Sequence, residues 1–417
     1  MHILFLTDNF PPEGNAPASR TYEHALHWVR AGHGVTVITG APNFPEGVLF
    51  AGYRNRWYQV ESMDGIRVVR VKTYISANAG FARRTLDYLS FMVSGFLAGL
   101  VQRRPDVIVG TSPQFFTVCA AWVLARCRRR PWVFELRDLW PASIKAVGAM
   151  REGRLLRALE SLEMTLYRRA DTIVTVTESF RRTLIARGVD GAKVHTVING
   201  VDRTRYAPRP KDPALARALD LTGRFVVGYI GTQGLAHALE EVLQAADLLR
   251  GHPGIAFLLV GSGAQHEALR ARAAALGLRN VRFVARQPKA AMPAYWAQCD
   301  CALVHLRDDP LFSAVIPSKL FEAMGMGLPI LLAMPDGEAA QIVRRAGAGL
   351  WVGAGDPRAL ARGVRDLAAD PVRAARLAAA SLAAAGTYSR DALSVRMLAV
   401  LAATARCPVA PGRPWER

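Results

Sequence analysis

"HILFLTDNFPPEGNAPASRTYEHALHWVRAGHGVTVITG", residues 2–40, is the stretch that decides the fold. Two short, continuously apolar runs, residues 2–7 and 35–40, flank a segment whose apolar residues recur at helical spacing up to Gly32. Continuous rather than alternating apolar runs are typical of strands buried on both faces of a parallel sheet. The stretch therefore predicts a strand–helix–strand unit with a polar loop, "DNFPPEGNAPAS", after the first strand.

The same pattern recurs along the chain and restarts once. Further runs of strand length are "DVIVGTS", "PWVFELRD" and "DTIVTVTE", followed later by "FVVGYIG", "IAFLLVGSG", "VRFVA", "CALVHL" and "PILLAM". A proline-rich segment with few apolar residues separates the two sets, as is typical of a domain boundary. We predict an α/β protein with two Rossmann-like, doubly wound parallel-sheet domains facing a cleft. The first domain spans 1–198 and is completed by a helix at 388–405, a linker spans 199–213, and the second domain spans 214–387.

The charge balance favours anionic partners. Lys and Arg number 53 against 34 Asp and Glu among 417 residues, a formal net charge of +19, and such a protein attracts phosphorylated molecules and acidic membrane surfaces. The sequence has no long basic tail and no basic helix with interleaved aromatic residues, so we expect no nucleic-acid binding. The five cysteines form no CxxC pair, which disfavours a disulfide framework or zinc site and favours the cytoplasm.

Two apolar segments, residues 89–101 and 115–125, are shorter than the roughly 20 residues that cross a bilayer. Arginines follow both segments, at 103–104 and 128–130. Apolar helices with a basic border suit peripheral contact with an anionic membrane. The alternative is that both segments are core helices and that the arginines are solvated.

The stretch "IPSKLFEAM" places Lys319 in the first turn of a predicted helix. A cation there is unfavourable by roughly a few tenths of a kcal/mol, because a helix N-terminus carries partial positive charge. A bound phosphate would remove this cost, since it accepts hydrogen bonds from the first-turn amides and from the lysine together. Glu322, three residues later, could accept hydrogen bonds from sugar hydroxyls. The alternative is a solvated lysine with a surface glutamate.

Other candidates follow predicted strands. Gly231, in "GYIGTQG", and Gly14, in "PPEGNAPAS", allow the backbone to approach a phosphate closely. "VFELRDLWP" carries Arg137 and Asp138 at the carboxyl end of a strand, with Glu135 inside it. Such charges either form a structural ion pair or serve a site. Asp138 is the predicted proton acceptor of this loop.

Taken in order, these patterns resemble the family-4 glycosyltransferases of GT-B fold. The matching pieces are "NFPPEGN", "RAGHGVTVIT", "INGVD", "EAMGMGLPI" and "DGEAAQIVRRAGAGLWVGAGDPRAL". "RDLWP", "TSP", "GTQGLAHALEEVL" and "PSKLFEAM" resemble a subgroup of bacterial surface-polysaccharide or O-antigen transferases for amino sugars of the N-acetyl-L-fucosamine type. The resemblance implies transfer of such a sugar from a UDP-linked donor to an acceptor hydroxyl.

The sequence departs from the family pattern in three places. Ala314 occupies the position of the first glutamate of the family's E-x7-E motif, and the family's loop arginine is missing from "GTQGLAHALEE". Arg137 stands where the family has a histidine, followed by Asp138. Lys319 is the expected replacement for the missing loop cation, and Asp138 for the histidine.

The resemblance also implies partners and roles. The acceptor is a polyprenyl-diphosphate-linked saccharide at the inner face of the cytoplasmic membrane, and the nucleotide sugar is a co-substrate that needs no cofactor and no obligatory metal. Retention and inversion of the anomeric configuration both stay open, as do two other functions, a GT-B nucleotide-sugar epimerase and a non-catalytic nucleotide-sugar-binding protein. The implied catalytic residues are Asp138, Arg137 and Lys319, and the implied donor-binding residues are Gly14, Asn15, Gly231, Thr232, Gly234, Pro317, Ser318, Lys319, Glu322, Gly337 and Glu338.

Overall fold

The chain forms two compact units. The computed structural model describes residues 1–44, 46–76, 81–140 and 153–407. Unit 1 comprises Met1–Ile198 and the C-terminal segment from Asp391, and unit 2 comprises Asn199–Arg390. Each unit contains its own β-sheet with helices packed against it.

Unit 1 contains, within the described residues, an eight-stranded sheet in the order β3-β4-β2-β1-β5-β6-β7-β8. Its neighbouring strands are parallel apart from the antiparallel β3–β4 pair. The strands are β1 His2–Leu6, β2 Gly34–Gly40, β3 Tyr58–Met63, β4 Ile66–Val71, β5 Val107–Thr111, β6 Trp132–Leu136, β7 Thr172–Thr175 and β8 Val194–Thr196. The helices are α1 Ala16–Arg30, α2 Phe81–Leu100, α3 Phe115–Arg128, α4 Arg154–Arg169 and α5 Glu178–Ala186, with the C-terminal helix α14 Arg390–Ala405.

Unit 2 contains, again within the described residues, a six-stranded parallel sheet in the order β11-β10-β9-β12-β13-β14. The strands are β9 Phe225–Ile230, β10 Ile255–Val260, β11 Val281–Val284, β12 Cys301–His305, β13 Ile330–Ala333 and β14 Gly349–Val352. The helices are α6 Pro213–Ala218, α7 Leu239–Leu248, α8 His266–Ala275, α9 Met292–Ala297, α10 Ser318–Gly325, α11 Glu338–Ala346, α12 Pro357–Ala369 and α13 Pro371–Ala385. The prediction of two α/β parallel-sheet units is confirmed.

The C-terminal helix belongs to the core of unit 1. Leu393, Met397 and Leu401 are fully buried in the cluster that includes Trp28. The Trp28 indole also donates a hydrogen bond of 3.1 Å to the Ser394 carbonyl. The last described helix of the chain therefore closes a core that the first strands begin.

Two details differ from the sequence-based expectations. The apolar segment 115–125 lies in α3, and most of it is buried, with Val118, Ala121 and Leu124 at 0% exposure. This segment is therefore a core helix rather than a membrane-facing one, because α3 packs against α2 and β5. The strand pattern also overlooked β8, β14 and the β3–β4 hairpin. The hairpin turns at Asp64 and Gly65, and both residues have positive φ. "DG" between strands is a known hairpin signal.

Leu401→Ala should destabilise unit 1 by about 2–5 kcal/mol, the usual cost of truncating a fully buried leucine. The exposed Val395 on the same helix is the matched control, and Val395→Ala should change stability by less than about 0.5 kcal/mol. Urea denaturation followed by circular dichroism measures both values. Equal stabilities of the two variants would show that α14 does not support this core.

Candidate functional site

Lys319 is a buried lysine at the start of α10. It lies in the first turn of α10, after Pro317 and Ser318, and its side chain packs with Nζ 3.5 Å from the centroid of the Tyr229 ring. Nζ has no hydrogen-bond partner among the described residues. Burial lowers the pKa of this amine to about 7, against the opposing charge of Glu322. Lys319 is thus not the solvated lysine of the alternative interpretation, and its position suits an anion, because buried polar groups are rarely left unpaired.

The glycine-rich turn after β9 lies directly against this lysine. A Cβ on Gly231 would come within 2.9 Å of Lys319 Nζ, and Gly231 has φ +147°, a conformation that favours glycine. Gly261, after β10, lies close to Gly231: a Cβ added to Gly261 would lie 2.0 Å from the Gly231 carbonyl oxygen. Thr232 is exposed in the same turn, and its carbonyl accepts a 2.5 Å hydrogen bond from the Tyr229 hydroxyl. Gly231, Thr232 and Lys319 are therefore brought together.

Gly234 opens a 3₁₀ turn that leads to a histidine pair that sequence reasoning did not select. The turn spans Leu235–His237, and burial, reinforced by the charge of Lys319, lowers the pKa of His237 to about 3. His305 Nδ1 lies 2.8 Å from the His237 carbonyl, so Nδ1 donates there. His305 Nε2 lies 3.2 Å from Glu241. The histidine that ends β12 thus fastens the turn beside Lys319 to α7.

The remaining donor-side candidates occupy two places. Glu322 is half-buried, and its Oε2 accepts a 3.3 Å hydrogen bond from the Trp296 indole. Gly337 lies against the Ser313 carbonyl, where a Cβ would come within 1.9 Å, so the close approach itself requires glycine. Glu338 follows in the first turn of α11, where an acidic side chain suits the helix dipole. One oxygen of the Glu322 carboxylate therefore has a structural partner, the Trp296 indole, in addition to the predicted role of Glu322 in binding sugar hydroxyls.

In unit 1, Glu135 forms a structural ion pair with Arg20, which was one of the two roles expected for the charges at the end of this strand. Arg20 Nε lies 2.9 Å from Glu135 Oε1, and both side chains are almost fully buried. The Arg20 guanidinium also donates to the carbonyls of Val197 and Ile198, at 2.9 and 2.8 Å. Burial by itself would raise the pKa of Glu135, but the charges of Arg20 and Arg137 hold it below its ordinary value. The ion pair and these hydrogen bonds connect α1, β6 and the segment that follows β8.

The loop after β6 is fastened by a hydroxyl of the neighbouring strand end. Ser112 Oγ accepts hydrogen bonds from the backbone amides of Arg137 and Asp138, at 2.8 and 3.3 Å. Both residues are half-buried at the carboxyl end of β6. At the first strand end, Gly14 is exposed, and Asn15 caps α1 by accepting a 2.9 Å hydrogen bond from the Ala18 amide.

A carboxyl cluster near the end of β1 was missed. Burial, together with the charges of Asp87 and Glu13, raises the pKa of Asp8 well above its ordinary value. Burial and Glu13 raise the pKa of Asp87 to about 7. Glu13 accepts hydrogen bonds of 2.9 Å from the amides of Asn43 and Phe44. The strand-end criterion that selected Asp138 applies equally to Asp8, but nothing in the local sequence joins Asp87, on α2, to it.

The described residues contain neither a metal-binding cluster nor a membrane-spanning helix. No group of three or more His, Cys, Asp and Glu side chains is arranged to hold a metal ion within the part of the chain that the structure describes. Among the helices there, none is both long and apolar enough to cross a membrane.

Comparison with known proteins covers both units. Residues 15–200 match the family described as "Glycosyl transferase 4-like domain", and residues 214–383 match "Glycosyl transferases group 1". The chain is 30% identical over 336 residues, 78% of its length, to WcaI of Escherichia coli K12, and these cover 82% of that protein, whose name describes a colanic acid biosynthesis glycosyl transferase.

Two solved structures share the fold. Sucrose-phosphate synthase of Thermosynechococcus elongatus has a TM-score of 0.77 at 18% identity, covering 96% of this chain and 98% of that one. Anabaena Alr3699/HepE in complex with UDP-glucose has a TM-score of 0.69 at 18% identity, covering 97% and 100%.

The raised pKa of Asp87 predicts a pH-dependent stability. The folded state holds this proton up to about pH 7, whereas the unfolded state releases it near 3.8. Unfolding is therefore favoured increasingly as pH rises between these values. We expect the unfolding free energy of the unsubstituted protein to fall relative to that of Asp87→Asn over this range. Chemical denaturation at several pH values tests this, and parallel curves for the two proteins would contradict it.

Proposed function

This chain belongs to the family-4 glycosyltransferases of GT-B fold, and we propose that it moves an N-acetylated amino sugar from a UDP-sugar to a lipid-linked saccharide. The product would be part of a cell-surface polysaccharide, and the E. coli relative is named as a transferase of colanic acid biosynthesis. The observation that carries the donor side is the buried ammonium of Lys319 beside the Gly231 turn, for which the described part of the chain offers no hydrogen-bond acceptor. A donor diphosphate supplies the missing acceptor.

The diphosphate site has three contributors. The first-turn amides of α10, at Ser318 and Lys319, point along the helix axis toward an anion. The Lys319 ammonium adds a full charge, and Gly231 leaves room for the phosphate because it has no side chain. Glu322 accepts hydrogen bonds from the ribose hydroxyls, and the loop at Gly337 and Glu338 contacts the donor sugar. The UDP-glucose complex of the Anabaena protein, which shares the fold, supports a donor of this chemical class.

The chemistry breaks the bond between the sugar's anomeric carbon and the diphosphate oxygen. Negative charge develops on that oxygen, and Lys319 with the neighbouring amides stabilises it, which is commonly the largest catalytic effect at such sites. The acceptor hydroxyl oxygen bonds to the anomeric carbon, and Asp138 orients this hydroxyl and receives its proton. The positive charge of Arg137 stabilises the ionised carboxylate of the buried Glu135 at the end of this strand.

Protein charge thus takes the role that a divalent ion has in other transferases. We accordingly propose that no metal is obligatory and that the nucleotide sugar is the co-substrate. We favour neither a nucleotide-sugar epimerase nor a non-catalytic nucleotide-sugar-binding protein, because the relatives are named as transferases. An epimerase would differ from a transferase in needing no acceptor.

The acceptor side of the proposal is a polyprenyl-diphosphate-linked saccharide at the inner face of the cytoplasmic membrane, with peripheral contact to anionic lipid. Arg103, Arg104 and Arg129 are exposed and suit such contact. Arg128 does not belong to this set, because its guanidinium donates hydrogen bonds to the carbonyls of Leu100 and Gln102. Arg128 instead braces the ends of α2 and α3.

Lys319→Ala should reduce kcat about 100- to 1000-fold with the preferred UDP-sugar, the usual cost of losing one stabilising group for a developing anion. A panel of UDP-sugars with a lipid-linked acceptor first identifies that donor by UDP release. Lys211→Ala is the matched control, because Lys211 is an exposed lysine paired with Asp300 in the same unit, and we expect its activity unchanged. Full turnover by Lys319→Ala would refute the assignment. Epimerised donor without acceptor, or binding without turnover, would refute the transferase.

The lowered pKa of Lys319 predicts a pH-dependent affinity for the donor. Only the ammonium form binds the diphosphate well, so binding takes up a proton above about pH 7 and the affinity falls as pH rises. UDP-glucose is the suitable probe, since its diphosphate does not titrate near this pH. Calorimetry in buffers of different ionisation enthalpy should detect the proton in the unsubstituted protein and none in Lys319→Met. Identical proton uptake by the two proteins would contradict the assignment.

A further inference from the structure

An apolar groove runs along α2 on the surface of unit 1. It has a volume of about 580 Å³. Its floor and walls come from the segment that follows β4, from the start of β3 and from one face of the helix. The residues that define it here are Trp57, Tyr58, Tyr74, Val93, Leu97 and Val101.

The side chains along this groove are unusually exposed for their type. Trp57 is 75% exposed, Val101 72% and Leu97 55%. Leu86, Val93, Leu97 and Val101 follow one another at spacings of seven, four and four residues, so they form one continuous stripe on the helix. A contiguous exposed apolar surface of this kind marks an interaction site more often than it marks ordinary surface. Val93, Leu97 and Val101 belong to the apolar segment 89–101 and are exposed, whereas other residues of this segment are buried and α2 packs against α3.

The groove has a polar end and an apolar end. The Tyr74 amide donates a 2.7 Å hydrogen bond to Ser90 Oγ, which fixes the segment after β4 against the middle of α2. Lys72, two residues before Tyr74, places its ammonium 4.6 Å from the centroid of the Trp57 ring. Asp87 lies one turn before Ser90 and interacts electrostatically with the Asp8 and Glu13 carboxyls at the end of β1. One end of the groove thus adjoins the strand-end carboxyl cluster.

One cation, Lys72, lines the groove, and two arginines lie earlier on α2. Arg83 and Arg84 lie in the first turns of α2 and are exposed, and Arg84 donates hydrogen bonds to the Tyr88 hydroxyl at 2.8 and 3.2 Å. Lys72 is also exposed. An exposed cation in the lining of an apolar groove complements a molecule with an anionic head and an apolar chain.

We propose that this groove holds the isoprenoid chain of the lipid-linked acceptor, with the acceptor's diphosphate at Lys72. The inference rests on the proposed function for the identity of the acceptor. Concavity favours a single chain over a flat bilayer, which would cover a convex or planar face. The charge at one end favours a diphosphate head, and the adjoining carboxyls can accept hydrogen bonds from sugar hydroxyls that follow it.

Farnesyl diphosphate, a soluble isoprenyl diphosphate, is the probe, and calorimetry with the full chain measures its binding without any bilayer. We expect the double variant Val93→Asp/Leu97→Asp to bind farnesyl diphosphate at least ten-fold more weakly. The bound isoprenoid chain would cover the two introduced carboxylates, and burying an unpaired charge against an apolar group is costly. Val395→Asp, an exposed valine on α14 of the same unit, is the matched control and should bind like the unsubstituted protein. Lys72→Gln should weaken binding of farnesyl diphosphate more than that of farnesol. Circular dichroism verifies that each variant is folded.

In turnover, the double variant should raise the KM for a lipid-linked acceptor at least ten-fold with kcat and the KM for the UDP-sugar retained. Equal farnesyl diphosphate affinities of the double variant and the unsubstituted protein would overturn the inference. Binding to anionic vesicles with no binding of farnesyl diphosphate would assign the groove to the bilayer. Concentration-dependent dimers that are lost in the double variant would assign the groove to a second copy of the chain. Either result would overturn the inference. Groove-dependent binding with no transfer from any UDP-sugar would instead refute the proposed function and leave the isoprenyl site standing.

Discussion

A parallel sheet covered by helices confines polar chemistry to the ends of its strands, and this constraint governs both units. The strand interiors are buried on both faces, so an uncompensated polar group there would be costly. Ionisable side chains therefore lie at or just beyond the strand ends, as with Asp8 after β1, Asp138 after β6 and His305 at the end of β12. Each unit has its candidate chemistry at the carboxyl ends of strands for this reason.

Two buried cations show how the surroundings decide between a structural and a functional role. Arg20 has a carboxylate and two carbonyls as partners, so its charge is fully used in holding unit 1 together. Lys319 is also buried, yet its neighbours are the ring of Tyr229 and the bare backbone of Gly231. A charge with partners stabilises a fold, whereas a buried charge without an acceptor is free to serve a ligand.

Much of the fold was predictable because apolar periodicity is a local property. Gly231 and Lys319 were selected from separate strand-end and helix-start patterns, and the fold brings them within contact distance. The hairpin at Asp64–Gly65 carried its own signal and was simply overlooked. The Arg20–Glu135 pair and the coupling of Asp87 to Asp8 were beyond reach, since they join residues 115 and 79 positions apart whose neighbours in sequence are unrelated.

The sequence by itself determined the alternation of strands and helices, the division into two units and the family to which the chain belongs, because these rest on short-range patterns in a set order. Only the tertiary structure decided which charges are paired and that α3 is core while α2 keeps an exposed apolar stripe. It also decided that Lys319 has no hydrogen-bond acceptor within the residues that the structure describes. Burial and pairing depend on what the rest of the chain places around a residue, and no local pattern carries that information.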